Sequence, residues 1–286
     1  MNDEMKWDLE SLTRQALDDP RTTHEFIALA LTEPDEDVAW DAVSTLHLRG
    51  TREVFDAACE LCASECPQER KLGGDILGQL GVPDRTFPEE SVGVLLGLLE
   101  VENDENVLCA ICIAFGHIHH PATVSWLARL STHRSADVRY AVAYGLEGFE
   151  DELAIRTLIV LSRDSDTDVR DWATFALGSQ IDLDTPEIRA ALLARIVDED
   201  EMTRGEALVG LARRKDHRVI KPLIKELERH ADAEYGEYAV DAAKELADAR
   251  LLPILRKLKQ SATTDVSELD EAIRSCEGAG PGTMKT

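Results

Sequence analysis

Aromatic side chains, basic side chains and long apolar runs are scarce in this chain of 286 residues. Aromatic residues make up 5% of the sequence against an apolar content of 44%, so a core must be built from Leu, Val, Ile and Ala. No stretch approaches the roughly 18–20 apolar residues that a membrane span needs. Residues 1–7 hold no apolar run of the kind found in a secretory signal. We therefore expect a soluble, cytoplasmic protein with no membrane partner.

Bases are outnumbered, with 31 Lys and Arg against 56 Asp and Glu, for a net charge of −25. Residues 1–200 hold 40 acids and 16 bases, a balance of −24, whereas residues 201–286 hold 16 acids and 15 bases, a balance of −1. An acidic field of this kind repels phosphate backbones and attracts basic proteins. The charge therefore predicts a protein partner with a basic surface and no nucleic acid.

Known catalytic and ligand motifs are also missing. The sequence has no G-x-x-x-x-G-K-[ST] loop, G-x-S-x-G elbow or H-E-x-x-H helix. Four of the six cysteines form C-x-x-C pairs inside apolar helical segments, which we interpret as core: Cys59, Cys62, Cys109 and Cys112. Adjacent His119 and His120 cannot easily point at one ion, so we interpret the three histidines that crowd one turn as solvated: His117, His119 and His120. We predict no catalytic residue, no metal and no cofactor.

What the chain does have is a repeat. Seven times an apolar-biased position is followed by partners four and eight residues later, at intervals of 31–35 residues. We call these positions the anchors: Val38, Leu72, Val107, Val138, Val169, Thr203 and Tyr238. Each triplet lies on one face of a helix, and a second apolar-periodic segment follows it. A fixed period of this length predicts an array of seven helix pairs.

The ends of the chain depart from this pattern. Residues 5–17 and 23–32 are predicted to form a leading helix pair, so that residues 1–32 cap the array. Repeats fill residues 33–260, and residues 261–286 are predicted to hold a cap helix at 266–276 and a disordered tail from Glu277. Several anchors follow an acid that we expect to cap the helix: Asp37, Asp137 and Asp168.

Two first helices open with a recognisable motif. Asp168–Ala173 reads D-V-R-D-W-A, and Asp137–Val142 reads D-V-R-Y-A-V. The repeat unit resembles the HEAT family, in particular its bacterial HEAT-like branch with phycobilin-lyase-type repeats, over roughly residues 33–260. The resemblance implies an all-α fold, a right-handed α-α superhelix or HEAT-like solenoid with about seven helix pairs and N-terminal cap helices. It implies no single function, because such motifs hold repeats together in many unrelated roles.

One row of residues stands out from the scaffold. Three residues after the anchors, beside the core face, the row holds four acids and a tryptophan: Asp41, Asp75, Trp172, Glu206 and Asp241. Acids beside a core need partners, and two interpretations remain open. The acids pair between repeats with arginines such as Arg139, Arg170 and Arg204. Alternatively, they form an acidic strip for a basic partner, which would also include Asp171, Trp126 and Arg129.

These observations favour a non-enzymatic solenoid that binds another protein as a scaffold, adaptor or inhibitor. An immunity protein is one specific form, because a toxin with a basic nucleic-acid-binding site would match the acidic field. The resemblance also leaves two alternatives: a bilin lyase-like or other HEAT-repeat enzyme, and a DNA glycosylase-like protein. The last needs a basic groove with aromatic side chains, which is opposite to the charge of residues 1–200.

Overall fold

The computed structural model describes residues 3–229, 237–261 and 266–278, and within these ranges the chain forms seventeen α-helices and no strand. The chain divides into two compact units, Met1–Leu146 and Glu147–Thr286. The first unit contains α1 (Asp3–Asp18), α2 (Thr23–Thr32), α3 (Glu36–Arg49), α4 (Arg52–Cys62), α5 (Pro67–Gln79), α6 (Pro88–Leu99), α7 (Glu105–Ile118), α8 (Val124–Leu130) and α9 (Ala136–Gly145).

The second unit contains α10 (Glu152–Leu161), α11 (Thr167–Phe175), α12 (Pro186–Arg195), α13 (Glu201–Arg213), α14 (Ile220–Arg229), α15 (Glu237–Leu246), α16 (Leu252–Ser261) and α17 (Ser267–Gly278). The seven predicted first helices are the odd-numbered α3–α15, and the second helices are the even-numbered α4–α16. A π-helical turn, Ala176–Gln180, extends α11. Helix α17 runs to Gly278, past the predicted start of the tail, and residues 279–286 lie outside the described residues. The division of the chain at residue 260 stays a prediction.

Within each unit the first helices pack side by side in chain order. In the first unit α3 contacts α5, α5 contacts α7 and α7 contacts α9, and in the second unit α11 contacts α13, α13 contacts α15 and α15 contacts α17. Small residues on these helices allow the close approach. A Cβ atom added at Gly210 would lie 2.5 Å from Cα of Gly178, and one added at Gly145 would lie 2.6 Å from the carbonyl oxygen of Cys112.

Five anchors are buried, as the period predicts: Leu72, Val107, Val138, Val169 and Thr203. The predictions for Val38 and Tyr238 are wrong. Val38 is 42% exposed and Tyr238 is half-buried. A repeat core is completed by a full repeat on each side, and α3 meets only the atypical helices α1 and α2 on its N-terminal side.

The caps of the first helices lie two residues earlier than predicted. Four aspartates three positions before an anchor accept hydrogen bonds from backbone N–H groups at a helix start: Asp35, Asp104, Asp166 and Asp200. Asp37 and Asp168 lie instead in the first turn of their helices. The extended backbone that a cap requires is reached only before the helix begins, which is why the earlier acid caps.

A recurrent contact, here called the arginine clamp, joins each of four first helices to the loop before it. Its residues are Arg70, Arg139, Arg170 and Arg204. In every case Nη1 donates to the carbonyl oxygens six and five residues earlier, at distances of 2.8–3.2 Å. These carbonyl groups belong to the loop between helix pairs, so the clamp fixes where one pair follows another.

We predict that Gly210→Ala destabilises the protein. The added methyl group meets the backbone at Gly178, which cannot rotate away. Overpacking of this kind costs up to about 3 kcal/mol, more than the roughly 1 kcal/mol that Ala gains over Gly in a helix. The measurement is the urea midpoint of unfolding. The control is Gly93→Ala in α6, where no atom lies within 4 Å of an added Cβ, and we expect it to raise the midpoint.

Candidate functional site

The second unit brings four predicted site residues onto consecutive first helices. Asp171 and Trp172 lie on α11, Glu206 on α13 and Asp241 on α15. Because α13 contacts both α11 and α15, these side chains form one row, here called the acidic row. The carboxylates of Asp171 and Asp241 are close enough to Glu206 to raise its pKa.

Glu206 is the most buried member of the acidic row, at 8% exposure. Its Oε2 accepts a hydrogen bond of 3.3 Å from the Ser179 hydroxyl. Burial, reinforced by the charges of Asp171 and Asp241, raises the pKa of Glu206 to about 7. The carboxyl group therefore carries a proton for part of the time near neutral pH.

Asp171 is half-buried beside it, and burial raises its pKa to about 6. The charges of Asp200, Asp168 and Asp198 act in the same direction, while a hydrogen bond with Thr203 opposes them. Within the described residues Oδ1 of Asp171 is buried and has no hydrogen-bond partner. An unpaired buried acceptor of this kind costs about 1–3 kcal/mol.

Two of the arginines that were expected to pair with the acidic row, Arg170 and Arg204, bind other acids, so neither forms the predicted inter-repeat pair with Asp171 or Glu206. Arg170 binds both carboxylate oxygens of Asp198 at 3.2 and 3.3 Å. Arg204 binds Glu226 at 3.2 Å. Because the arginine clamp fixes each guanidinium on the loop side of its helix, no basic side chain of the described residues forms a salt bridge with Asp171 or Glu206.

Two aromatic rings, one in the acidic row and one beside it, accompany the carboxylates. Trp172 is half-buried; its Nε1 donates a 3.1 Å hydrogen bond to Glu147, and its ring makes an edge contact with Phe175. Tyr238 packs over Gly205, where an added Cβ would lie 2.6 Å from the tyrosine ring. Burial and the charges of Glu206 and Asp171 raise the pKa of Tyr238. The sequence pattern missed Tyr238 as a site residue because it occupies an anchor position.

Comparison with known proteins agrees with this architecture. A family model described as HEAT repeats matches residues 92–178 and 155–225. Protein YibA of Escherichia coli K12 is 31% identical over 217 residues, which cover 73% of this chain and 75% of YibA.

The chain belongs to the HEAT-repeat family.

Solved structures extend the comparison over the whole fold. The crystal structure of Escherichia coli YibA superposes with a TM-score of 0.71 and 24% identity, covering 97% of both chains. The predicted all-α, HEAT-like solenoid fold is therefore confirmed. The complex of CpcE and CpcF of phycocyanin lyase from Nostoc gives a TM-score of 0.43 at 18% identity, covering 91% of this chain and 94% of that one. The lyase alternative stays a prediction.

The remaining predicted site residues of this HEAT-repeat protein lie in the first unit. Asp41 is exposed on α3. Asp75, on α5, forms a 2.6 Å salt bridge with Lys71, and burial raises the pKa of its carboxyl group. On α8 the guanidinium of Arg129 stacks on Trp126 at 4.5 Å from the ring centroid. Asp75 and Trp126 therefore each have a basic partner nearby, whereas Asp171 has none among the described residues.

The cysteine and histidine clusters behave differently from each other. Cys62 and Cys112 are buried, which confirms their interpretation as core residues, and burial raises the pKa of the Cys62 thiol to about 12. The described residues contain no group of three side chains arranged to hold a metal ion. His117, in contrast, is half-buried beside Tyr144, so its interpretation as a solvated turn residue is wrong.

In the described part of the chain no helix is long and apolar enough to cross a membrane.

We predict that the contribution of Asp171 and Glu206 to stability falls as pH rises between about 4 and about 7, because both carboxyl groups ionise later in the folded state than in the unfolded chain. In that window the folded state binds more protons, so deprotonation favours unfolding. Glu206→Gln removes the contribution of Glu206. Urea unfolding is expected to show the variant equal to wild type near pH 4 and more stable by up to about 3 kcal/mol near pH 8.

The matched control is Glu228→Gln, an exposed acid of the same unit on α14. It removes one carboxylate from the surface of the same unit and so controls for the loss of one negative charge. An unchanged pH dependence in Glu206→Gln would contradict the burial of an ionisable carboxyl group at this position.

Proposed function

We propose that this HEAT-repeat protein is a non-enzymatic binding protein, a scaffold, adaptor or inhibitor, whose acidic row recognises basic side chains of a partner protein. The observation that carries the proposal is the pair Asp171 and Glu206. Both are desolvated, and no basic side chain of the described residues neutralises them. A carboxylate in this state gains more from an incoming cation than one already paired or fully hydrated.

Arginine and lysine of a partner fit this row for different reasons. An arginine guanidinium offers paired donors that match two carboxylate oxygens at once. A lysine ammonium would place a point charge between Asp171 and Glu206. Trp172 and Tyr238 border the same carboxylates and supply apolar area, and aromatic residues of this kind often dominate the energy of an interface.

The long-range charge supports the same function. The net charge of −25 steers basic proteins toward the chain and raises their association rate at low salt. Within this proposal an immunity protein is the specific form that we favour, because a toxin that binds nucleic acid carries a basic surface suited to the acidic row. A toxin gene beside the gene for this chain would support that form.

We predict that partner capture depends on the acidic row. The immobilised full-length protein is incubated with native lysate of its source organism, and retained proteins are identified by mass spectrometry across a salt series. Asp171→Asn with Glu206→Gln is expected to weaken binding of the retained basic partner by at least about tenfold, because losing one side of a buried charge pair costs about 2–5 kcal/mol.

Two features separate loss of recognition from loss of folding. Glu206→Gln is expected to be more stable than wild type near pH 8, so reduced binding there is not caused by unfolding. Glu228→Gln changes the net charge of the same unit at an exposed site outside the row, and it should bind as wild type does. Retention that is insensitive to salt and equal in all variants would refute recognition by the acidic row.

A further inference from the structure

The first unit contains a cavity of about 440 Å³ between α4 and α6. Both cysteines of the C-x-x-C motif on α4, Cys59 and Cys62, lie in its wall. Small-molecule sites in proteins have volumes of roughly 300–1,000 Å³. The cavity is therefore large enough for a small ligand, and the two thiols are within reach of that ligand.

The wall that faces the cysteines is apolar. Val94 and Leu98 lie one turn apart on α6, and Val101 follows just after the helix ends. Val101 is 73% exposed. Between them the wall is open at Gly97, where no atom lies within 4 Å of an added Cβ. An apolar group of a ligand would cover this surface and remove it from water.

The polar side chains of the cavity are already paired. Nε of Arg70 donates to Glu102 at 2.6 Å, and its Nη1 forms the arginine clamp. Glu102 also accepts a 2.8 Å hydrogen bond from the backbone N–H of Asp104. The Ser64 hydroxyl donates to Glu69. None of these side chains requires a ligand, so the chemistry of the cavity is that of its thiols.

Cys59 and Cys62 are placed to bind one atom together. Both thiols are free, and residues three apart on a helix have Cβ atoms about 5–6 Å apart. Cys62 is 6% exposed, and its sulfur lies against Gly73 of α5, where an added Cβ would be 2.7 Å from Sγ. Cys59 is half-buried. The pair thus combines one thiol fixed by packing with one that is more accessible.

The surroundings of the two thiols limit what they can bind. Burial raises the pKa of both groups, that of Cys62 to about 12, because a thiolate anion is poorly solvated there. Two thiolates on a monovalent ion such as Cu(I) would bury a net negative charge. The described residues contain no group of three His, Cys, Asp or Glu side chains arranged to hold a metal ion. A suitable centre therefore needs two sulfur ligands and ends neutral.

We propose that this cavity binds a trivalent arsenic centre carrying one apolar organic group, R–As(OH)₂, with Cys59 and Cys62 as its two sulfur ligands. Both S–H bonds and both As–OH bonds break, two As–S bonds form, and the protons leave with the hydroxyl groups as two molecules of water. Arsenic stays trivalent and the product is neutral, so no charge is buried. The organic group lies against Val94, Leu98 and Val101. The site is independent of the acidic row, which lies in the other unit.

The test is native mass spectrometry of the full-length protein, reduced with a phosphine and mixed with phenylarsine oxide. We expect one phenylarsenic group per wild-type chain. This adduct should survive about 1 mM monothiol, because two bonds to one chain act together, and ethanedithiol should remove it. Cys59→Ser is expected to lose the monothiol-resistant adduct. The matched control is Cys109→Ser, which breaks the other C-x-x-C pair, on α7, whose Cys112 is fully buried, and it should keep the adduct.

Two leucine variants test the cavity apart from its thiols. Gly97→Leu narrows the cavity and should weaken binding by about tenfold or more, the scale of a mismatch in a hydrophobic pocket. Gly93→Leu makes the same change one turn earlier on α6, outside the cavity wall, and should bind as wild type does. Inorganic arsenite lacks the organic group and has a third position for sulfur, so it should bind more weakly than phenylarsine oxide.

Three results would overturn the proposal. The first is an adduct that persists in Cys59→Ser, and the second is one that disappears in Cys109→Ser. The third is equal binding by Gly97→Leu and Gly93→Leu, together with arsenite bound as tightly as phenylarsine oxide, because the cavity would then contribute nothing.

Discussion

The arginine clamp is the interaction on which the other features depend. Arg70, Arg139, Arg170 and Arg204 each tie a first helix to the loop before it, through carbonyl groups six and five residues earlier. Arg170 and Arg204 then reach an acid at or near the end of their own helix pair, Asp198 or Glu226. Neither cation forms a salt bridge with Asp171 or Glu206, so these carboxylates of α11 and α13 have no basic partner among the described residues.

In the second unit, the carboxylates of Asp171 and Glu206 form no salt bridge with a basic side chain of the described residues. A folded chain normally pairs or hydrates such groups. Other acids of the chain do have an arginine partner, as at Arg70 and Glu102, joined at 2.6 Å. The contrast is why the acidic row, and not the acids at large, carries the proposed function.

The sequence predicted the helices well, because a 31–35-residue period combined with four-residue spacing leaves little freedom in a helical array. The position three residues after the anchors predicted Trp172, Glu206 and Asp241 as members of the acidic row. The sequence did not predict that Asp171 lacks a basic partner, since Arg170 binds Asp198, 28 residues further along the chain.

The near-neutral titration of the carboxylate pair has a thermodynamic consequence. Glu206, with a pKa of about 7, holds a proton for much of the time in the free protein at neutral pH. A cation that settles against it favours the ionised form and expels that proton. Complex formation would then release protons into the solvent, and the heat measured on association would depend on the ionisation enthalpy of the buffer. Calorimetry in two buffers would therefore count the protons displaced from this one face.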